Sequence, residues 1–564
     1  MYERSQVPEP SRSQSPTTSA AAAANIRPEV PVVTPLGDLV SLTGARIDWV
    51  GDAVGSNDAA RSEDALGSAV TVTGIDLRAQ AIVAGDLFAA LPGARVHGAT
   101  FASDAVDRGA RAVLTDPAGL DLMNAAGSPE GVPILVHESP RALLGAMSAT
   151  IYGHPTEKMT VIGITGTSGK TTTSYLVEAA LAAGGRTPGL VGTIETRIKG
   201  NRVPSALTTP EAPQLHALFA VMLEQGIDTC VMEVSSHALA LGRVDGVRFA
   251  IGAFTNLSQD HLDFHRDFED YFAAKARLFE GGSAIRARHA VVCVDDEWGR
   301  RMAGIARDAG ASVTAVATTP SEPLERPQQR ADWQATRGGL DAKGIQTFHL
   351  VDPSGHANEV RLRLPGDYNV ANASVAVAIA EAAGVRIEDS VPALAAVDVP
   401  GRVQRVDRGQ DFMAVVDYAH KPAALGAVIG TLRGQSSGRL AVVVGAGGDR
   451  DKGKRELMGA VTARGAELLI VTDDNPRTED PSVIRASVRG GAEDVPQAER
   501  GEIREVADRA RAIAEAVEWA RTGDVVLVAG KGHETGQEVH GVKHPFDDRA
   551  VLAEAIDRRI GGGA

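Results

Sequence analysis

Short runs of β-branched and aliphatic residues alternate with longer stretches whose apolar positions recur at helical spacing, from about residue 37 onward. Val70-Thr71-Val72-Thr73, Ala112-Val113-Leu114-Thr115 and Val132 to Val136 read as strands, with a helix over Ala102 to Gly109. The run Gly85 to Gly93 reads as a strand entering a glycine turn, either an ordinary turn or one that meets a ligand backbone-first. Further along, Val161 to Thr165, Cys230 to Val234, Ala250 to Thr255 and Ala290 to Val294 are apolar strands. They run into Gly166, Ser235-Ser236-His237, Asn256 to Asp263 and Asp295-Asp296 respectively. In an open parallel sheet ligands sit at the carboxyl ends of strands, so these polar tips are expected to converge. Residues 318–345, rich in Pro, Gln and Arg, read as a long loop. A last block repeats the strand–turn pattern. Leu440 to Val444, Leu468 to Thr472 and Val525 to Ala529 each enter a Gly- or Asp-rich turn. Residues 1–36 hold six prolines, many serines and an alanine run without periodicity, and read as a disordered tail.

This pattern, with the glycine turn Gly166-Thr167-Ser168-Gly169-Lys170-Thr171-Thr172 after the Val161–Thr165 run, predicts an α/β protein of three domains: a small N-terminal α/β domain over 37–153, a central P-loop-type ATPase domain with a mainly parallel sheet over 154–400, and a C-terminal Rossmann-like domain over 401–564. The totals agree. The chain has 564 residues, 43% hydrophobic and 23% charged, enough for several buried cores. A net charge of −15 argues against nucleic-acid or anionic-membrane partners but not against an anionic small substrate. The two cysteines, Cys230 and Cys293, lie in strand-like runs and are expected to be buried and reduced. No stretch has the length of a membrane span and no basic-then-apolar leader opens the chain, so a cytoplasmic protein is expected.

The chemistry centres on Gly166-Thr167-Ser168-Gly169-Lys170-Thr171-Thr172, a glycine turn between the Val161–Thr165 run and a helix read from Thr172 to about Ala183. Glycines let backbone N–H groups approach phosphate oxygens, Lys170 can reach the β/γ-phosphates, and the Thr171 hydroxyl can sit on Mg²⁺. The run is not a strict Walker A, since Ile164 stands where that pattern has glycine. Glu233 closes an apolar strand, where an unpaired carboxylate would cost several kcal/mol, which makes it a metal ligand beside Thr171. His261, in an Asp-His-x-Asp cluster, is a further ligand candidate. Lys275, on an apolar helical face, is either a snorkelling surface lysine or a desolvated, nucleophilic one able to take up CO₂ as a carbamate.

The runs T-G-T-S-G-K-T, E-V-S-S-H, N-L-S-Q-D-H-L-D, Y-F-A-A-K, G-D-Y-N-V-A-N, D-Y-A-H-K-P, G-G-D-R-D-K-G-K-R, D-D-N-P-R and G-K-G-H-E follow one another in an order that resembles the Mur ligase family of peptidoglycan synthesis, over about 40–560. The resemblance implies an ATP-dependent acid–amino-acid ligase, a cytoplasmic monomer, that joins meso-diaminopimelate to UDP-N-acetylmuramoyl-L-alanyl-D-glutamate through an acyl phosphate. It implies Gly166 to Thr172 on the ATP phosphates, with Asn372, Arg402, Asp417, His420 and Lys421 flanking the nucleotide. It implies Thr171, Glu233, His261 and a carbamylated Lys275 on Mg²⁺. It gives the muramyl dipeptide to Leu207, Thr208, Thr209, Ser235, Leu241 and Arg243, and the uridine end to Ile75, Leu77, Gly93, Ala94 and Arg95. Leu77, Leu207 and Leu241 stand where relatives carry polar side chains, which leaves contacts there to the backbone. It gives the incoming amino acid to Arg450, Asp474, Asn475, Pro476, Arg477, Gly530 and Glu534. Independently of the family, an Arg fork pairs bidentately with a carboxylate, and Asp or Glu accepts from an ammonium. Diaminopimelate carries both groups at its far end; a lysine-adding enzyme of the same type would not need the fork at Arg477.

Overall fold

The computed structural model describes residues 26–50, 70–129, 131–203, 207–318, 331–336, 338–340 and 345–561. Three α/β sheets are arranged along the chain. The first has five strands in the order Arg46–Asp48, Ile134–Val136, Ala112–Thr115, Asp86–Ala89 and Gly74–Asp76, parallel apart from the first. Ile75, Leu87, Leu114 and Leu135 from its strands pack with Leu144 and Met147 of the Pro140–Ile151 helix. The expected Val70–Thr73 strand divides in two. Thr71–Val72 pairs antiparallel with Thr34–Pro35, and the chain then re-enters the sheet at Gly74.

The middle sheet carries the phosphate loop at its centre. Thr160–Thr165 runs parallel between Thr229–Glu233 and Ile251–Phe254, with Glu233 opposite Ile164 and Phe254 opposite Thr165. His289–Cys293 and Ser312–Ala317 extend the sheet in parallel. Val161, Ile162 and Ile164 are wholly buried, which is why the strand reads as a continuous apolar run rather than an alternating one. The helix Lys170–Ala183 packs on Asp367–Ala382, and Val177, Ala180, Ala376 and Ile379 share one core. That helix opens at Lys170, two residues before the expected Thr172, because Gly169 already serves as its N-cap. The stretch read as a loop after residue 318 contains Trp333–Ala335, which pairs with Ser312–Ala317, and Gly339–Leu340, which pairs with Gln346–Val351. Trp333 is 1% exposed, so one large apolar anchor overrides the loop-like composition around it. Residues 319–330, 337 and 341–344 lie outside the described residues.

The third sheet orders Gln404–Arg405, Met413–Asp417, Val525–Ala529, Leu440–Val444, Leu468–Val471 and Glu502–Glu505, parallel apart from the first. The strands that end at Gly530, Gly445 and Thr472 are therefore immediate neighbours, and their turns share one edge. Cys230 and Cys293 are both buried and free. Among the described residues no helix is long and apolar enough to cross a membrane.

The tail expected over 1–36 is structured from Ile26; residues 1–25 lie outside the described residues. The Arg27 guanidinium stands 2.8 Å from Asp86 and 3.7 Å from Asp76, both buried acids of the first sheet. The Glu29 and Val30 N–H groups donate to the Glu224 carboxylate at 2.9 and 2.8 Å. Glu224 ends the Ala212–Glu224 helix of the middle block, so this arm ties the two blocks together. On the same helix His216 is wholly buried, one ring nitrogen 3.1 Å from the Asp245 carbonyl oxygen. Burial pushes its pKa down from 6.5 to about 4. The unfolded chain thus takes up a proton near 6.5 while the folded one does not until about 4, and stability falls as pH drops through that window. Between pH 7 and pH 5 this one group should remove about 2 kcal/mol of stability. Thermal melts at the two pH values should show the fall, and His216→Gln should narrow it.

Candidate active site

The glycines of the phosphate loop stand where no side chain fits. Gly166 has φ 144°, and a Cβ there would lie 2.0 Å from Thr255 Oγ1; at Gly169, φ 89°, it would lie 2.2 Å from Asn372 Oδ1. The loop is thus pressed between the tip of the Ile251–Phe254 strand and the helix that carries Asn372. Hydrogen bonds complete the clamp. Thr167 N–H donates to the Asn256 carbonyl oxygen at 2.9 Å, Ser168 N–H to Asn256 Oδ1 at 3.0 Å, and Thr255 Oγ1 to the Ser168 carbonyl oxygen at 2.7 Å.

Two lysine amines reach into this loop. Lys170 Nζ donates to the Gly166 and Thr167 carbonyl oxygens at 2.8 and 3.2 Å. Lys275 Nζ donates to the same Gly166 oxygen at 3.1 Å and lies 4.4 Å from the centre of the Tyr271 ring. Burial pushes the Lys170 ammonium down to about 8, against the pull of Glu233. Lys275 is 1% exposed, and burial followed by the Lys170 and Lys421 charges holds its pKa well below the usual lysine value. It is a desolvated amine and not a snorkelling surface lysine. Tyr271, one turn before it, also bonds Thr167 Oγ1 at 3.1 Å.

Glu233 is 1% exposed and fully engaged. It accepts from Thr171 Oγ1 at 3.0 Å, Thr193 Oγ1 at 2.9 Å and Thr193 N–H at 2.8 Å. Thr208 Oγ1 lies 3.2 Å from Thr193 Oγ1, and Thr209 Oγ1 donates to the Glu233 carbonyl oxygen at 2.9 Å. Ser235 N–H donates to Thr209 Oγ1 at 3.3 Å, and Arg243 Nη1 to the Thr209 carbonyl oxygen at 3.5 Å. Thr171 and Glu233, expected on the metal, therefore form one continuous cluster with Thr208, Thr209, Ser235 and Arg243, expected on the dipeptide, while His261 and Lys275 make their contacts elsewhere. Ser235 Oγ accepts from Ala238 N–H as a helix cap, Leu207 is exposed and Leu241 half-buried.

Of the three strand tips expected to converge on the Gly166 loop, those after Val234 and Thr255 do. Asp295 instead accepts from Thr318, and Asp296 caps the helix Glu297–Asp308. His261 has a left-handed backbone (φ 54°) and its Nε2 stands 3.0 Å from Asp260 Oδ2. Burial pushes its pKa down to about 4, which keeps the imidazole neutral. Among the described residues no three or more His, Cys, Asp and Glu stand together as a metal cluster. Glu233 and Thr171 place a carboxylate and a hydroxyl side by side, hard oxygen donors that suit a Mg²⁺ ion which keeps water or phosphate as its remaining ligands.

The third block closes over this loop. Arg402 Nη2 donates to Thr171 Oγ1 at 3.4 Å, and its guanidinium lies 4.4 Å from the centre of the Tyr418 ring. Lys421 Nζ pairs with Asp260 Oδ2 at 2.5 Å. Burial alone would raise the Asp260 carboxyl, but the Lys421 and His261 charges hold it down at about 2. Asp417 accepts from the Val403 and Ala419 N–H groups, both at 2.7 Å, and burial raises its pKa despite Arg402. His420 is kept neutral by burial, its pKa pushed down to about 3.

The turns of the third sheet hold the remaining candidates. Asp474 and Asn475 are buried; Asn475 Nδ2 donates to Glu534 Oε2 at 2.9 Å. Arg477 has φ 52°, a strained conformation pinned by hydrogen bonds to the Gly536–Val539 strand and the turn beyond it: its N–H donates to the Glu538 carbonyl oxygen and its own carbonyl accepts from His540 N–H. Its Nη1 donates to the Gly448 carbonyl oxygen at 2.6 Å, and its Nε lies 3.4 Å from the Glu538 carboxylate. Arg450 is exposed on the loop after Gly448, near enough to His237 to reinforce the lowering that burial imposes on that imidazole. Residue order along the chain did not single out Asp260, Thr193, Tyr271 or Lys531. Nor did it single out the buried Arg455, which grips Glu479 at 2.9 and 3.0 Å. Of these, Asp260, Tyr271, Arg455 and Lys531 lie inside the motif runs themselves.

In the front block a cavity of about 400 Å³ is lined by Leu77, Phe88, Leu91, Gly93, Arg141 and Glu211 among others. Glu211 pairs with Arg141 at 3.3 Å and with Arg243 at 2.8 Å, which joins this cavity to the Thr209 cluster. Ile75 is not in its wall: it lies wholly buried in the sheet, its N–H 3.4 Å from the Tyr152 hydroxyl. Ala94 and Arg95 are exposed in the turn beyond Gly93 and do not line the cavity either.

A phosphate-type loop met by Arg402 and Lys421 of a second α/β block is the arrangement of an ATP-dependent ligase, and the chain belongs to the Mur ligase family. Residues 71–152 match the model described as Mur ligase family, catalytic domain, residues 164–380 the Mur ligase middle domain, and residues 401–532 the glutamate ligase domain. The chain is similar to the UDP-N-acetylmuramoyl-L-alanyl-D-glutamate–2,6-diaminopimelate ligase of Corynebacterium glutamicum, at 53% identity over 84% of this chain and 89% of that one. With the ligase of the same name from Streptomyces coelicolor it shares 51% over 87% and 93%. A solved structure of a ligase of that name matches with a TM-score of 0.60 and 32% identity, over 88% of this chain and 97% of that one. Gly166→Ala should weaken ATP binding by about tenfold or more, since the new methyl must displace Thr255 or the loop itself. Calorimetric titration with ATP measures this, and thermal melts should show the fold retained.

Proposed function

We propose that this chain joins the amine of meso-diaminopimelate to the γ-carboxylate of the D-glutamyl residue of UDP-N-acetylmuramoyl-L-alanyl-D-glutamate, with conversion of ATP to ADP and phosphate. The observation that carries the reading is the meeting of two loops: Arg402 of the third block reaches Thr171 of the phosphate loop at 3.4 Å. The similarity to ligases of that name supports the choice of substrates.

The carboxylate oxygen attacks the γ-phosphorus of ATP, and ADP leaves. The amine then attacks the acyl-phosphate carbon, and phosphate departs. Amides of Gly166 to Thr172 and the Lys170 ammonium hold the phosphates and stabilise the moving phosphoryl group. Lys170 exchanges its two carbonyl partners for phosphate oxygens. Asn372, Arg402, Asp417, His420 and Lys421 flank the nucleotide from across the joint. Thr171, Glu233, His261 and Lys275 as its carbamate would hold Mg²⁺, which would offset phosphate charge. The neutral, buried state of the Lys275 amine is the one that reacts with CO₂.

Thr208, Thr209, Ser235 and Arg243 hold the dipeptide end, with backbone groups of Leu207 and Leu241, and the front cavity at Leu77 and Gly93 takes the uridine end. The Arg477 fork binds the distal carboxylate of diaminopimelate. Arg450, Asp474, Asn475, Pro476, Gly530 and Glu534 complete its pocket. No side chain serves as a covalent nucleophile; orientation and charge placement lower the barrier.

Two outcomes test the reading. Lys170→Ala should abolish ADP release in the presence of both substrates; substantial turnover would remove the phosphate-loop role. Arg477→Ala should lower kcat/KM for diaminopimelate by about 10- to 100-fold, the worth of a charge-assisted pair. Against lysine, which lacks the distal carboxylate, the same variant should change little. An amine panel with ATP and the muramyl dipeptide reads both numbers.

A further inference from the structure

The third sheet buries a cation that the ligation chemistry leaves unused. Lys531 is 0% exposed. Its Nζ donates to Asn475 Oδ1 at 3.0 Å and to Glu534 Oε2 at 3.4 Å, and stands 3.7 Å from Asp474 Oδ1. Two glycines turn it inward. Gly530 (φ 114°) and Gly532 (φ 54°) flank it, and a Cβ on either would lie 2.7 Å from its nearest neighbour, Asp474 Oδ2 in one case and Tyr418 Cβ in the other. A wholly buried ammonium has a large desolvation cost unless its partners are well placed, so a sequence that builds two left-handed glycines around one is specifying where that charge sits.

The contacts show what it orders. Asn475 Oδ1 accepts from both Lys531 Nζ and the Glu538 N–H, the latter at 2.9 Å. Two donors on one atom fix the amide's orientation, so its Nδ2 must face Glu534 Oε2, where it donates at 2.9 Å. Asn475 is thereby held in one orientation, and Glu534 is held through Oε2 by Asn475 and Lys531.

We infer that Lys531 is a positioning residue for the amine substrate: it orients Asn475 and Glu534 in the pocket wall. The inference rests on the reading of this pocket as the diaminopimelate site. Lys531 does not touch the reacting atoms, so its effect falls on substrate affinity.

A double-mutant cycle over Lys531→Met and Glu534→Gln tests it, with KM and kcat measured for diaminopimelate and KM for ATP. Lys531→Met should raise KM for diaminopimelate by about tenfold, with kcat at saturation and KM for ATP within about twofold of the parent. Glu534→Gln should raise the same KM, and adding Lys531→Met to it should cost less than about threefold more, since the two act through one contact. The double variant removes one charge of each sign, so it remains informative where Lys531→Met alone does not fold. Full additivity in the cycle, or an unchanged KM in a folded Lys531→Met, would overturn the positioning role while the pocket reading stands. An unchanged KM in Glu534→Gln would overturn the pocket reading and this inference with it.

Discussion

One carbonyl oxygen, that of Gly166, accepts from two lysine amines, and the electrostatics of the middle block follows from that crowding. Two ammonium groups sharing one acceptor in a buried loop repel each other, and burial penalises both. Lys170, nearer Glu233, keeps more of its charge; Lys275 is driven towards the neutral amine. Gly166 could not be replaced without moving Thr255.

The parallel sheets make this possible by delivering different strands to one edge. Thr160–Thr165 lies between the strands ending at Glu233 and Phe254, so loop, acid and Thr255–Asn256 clamp meet because of strand order alone. The third sheet repeats the device with the turns after Val444, Val471 and Ala529. Its turns are then locked by buried ion pairs. Arg509, paired with Asp548 at 2.7 Å, also donates to the Ala529 and Asp473 carbonyl oxygens. Arg455 grips Glu479, whose carboxylate accepts from the Asp449 N–H at 2.6 Å. Such pairs add little net stability because desolvation offsets their attraction. What they contribute is a fixed distance between the turns.

Much of this was legible along the chain because strand ends in an α/β sheet announce themselves. A run such as Val161 to Thr165 followed by glycine, lysine and hydroxyls has few other physical readings, and Glu233 betrays itself as a carboxylate on an apolar strand. Other features were hidden for identifiable reasons. Lys275 has the same neighbours whether it snorkels or is buried; only the packing of Tyr271 and the loop decides. Trp333–Ala335 sits in Pro- and Arg-rich surroundings, and one buried indole outweighs them. Arg27 looks like a tail residue until Asp76 and Asp86, far along the chain, are seen beneath it. Lys531 lies in a glycine-rich run that reads as a turn, and the direction of its side chain depends on two positive φ angles that no periodicity encodes.

The joint between the second and third blocks carries the remaining argument. Lys421–Asp260 and Arg402–Thr171 cross it, and each engages a group next to, or within, the phosphate loop. A triphosphate entering that loop competes for both cations, since phosphate oxygens are stronger partners for a guanidinium than a hydroxyl is. The contacts that hold the blocks together without ligand are therefore the ones that ATP would take over. Both cations that join the two blocks therefore stand beside the same glycine loop.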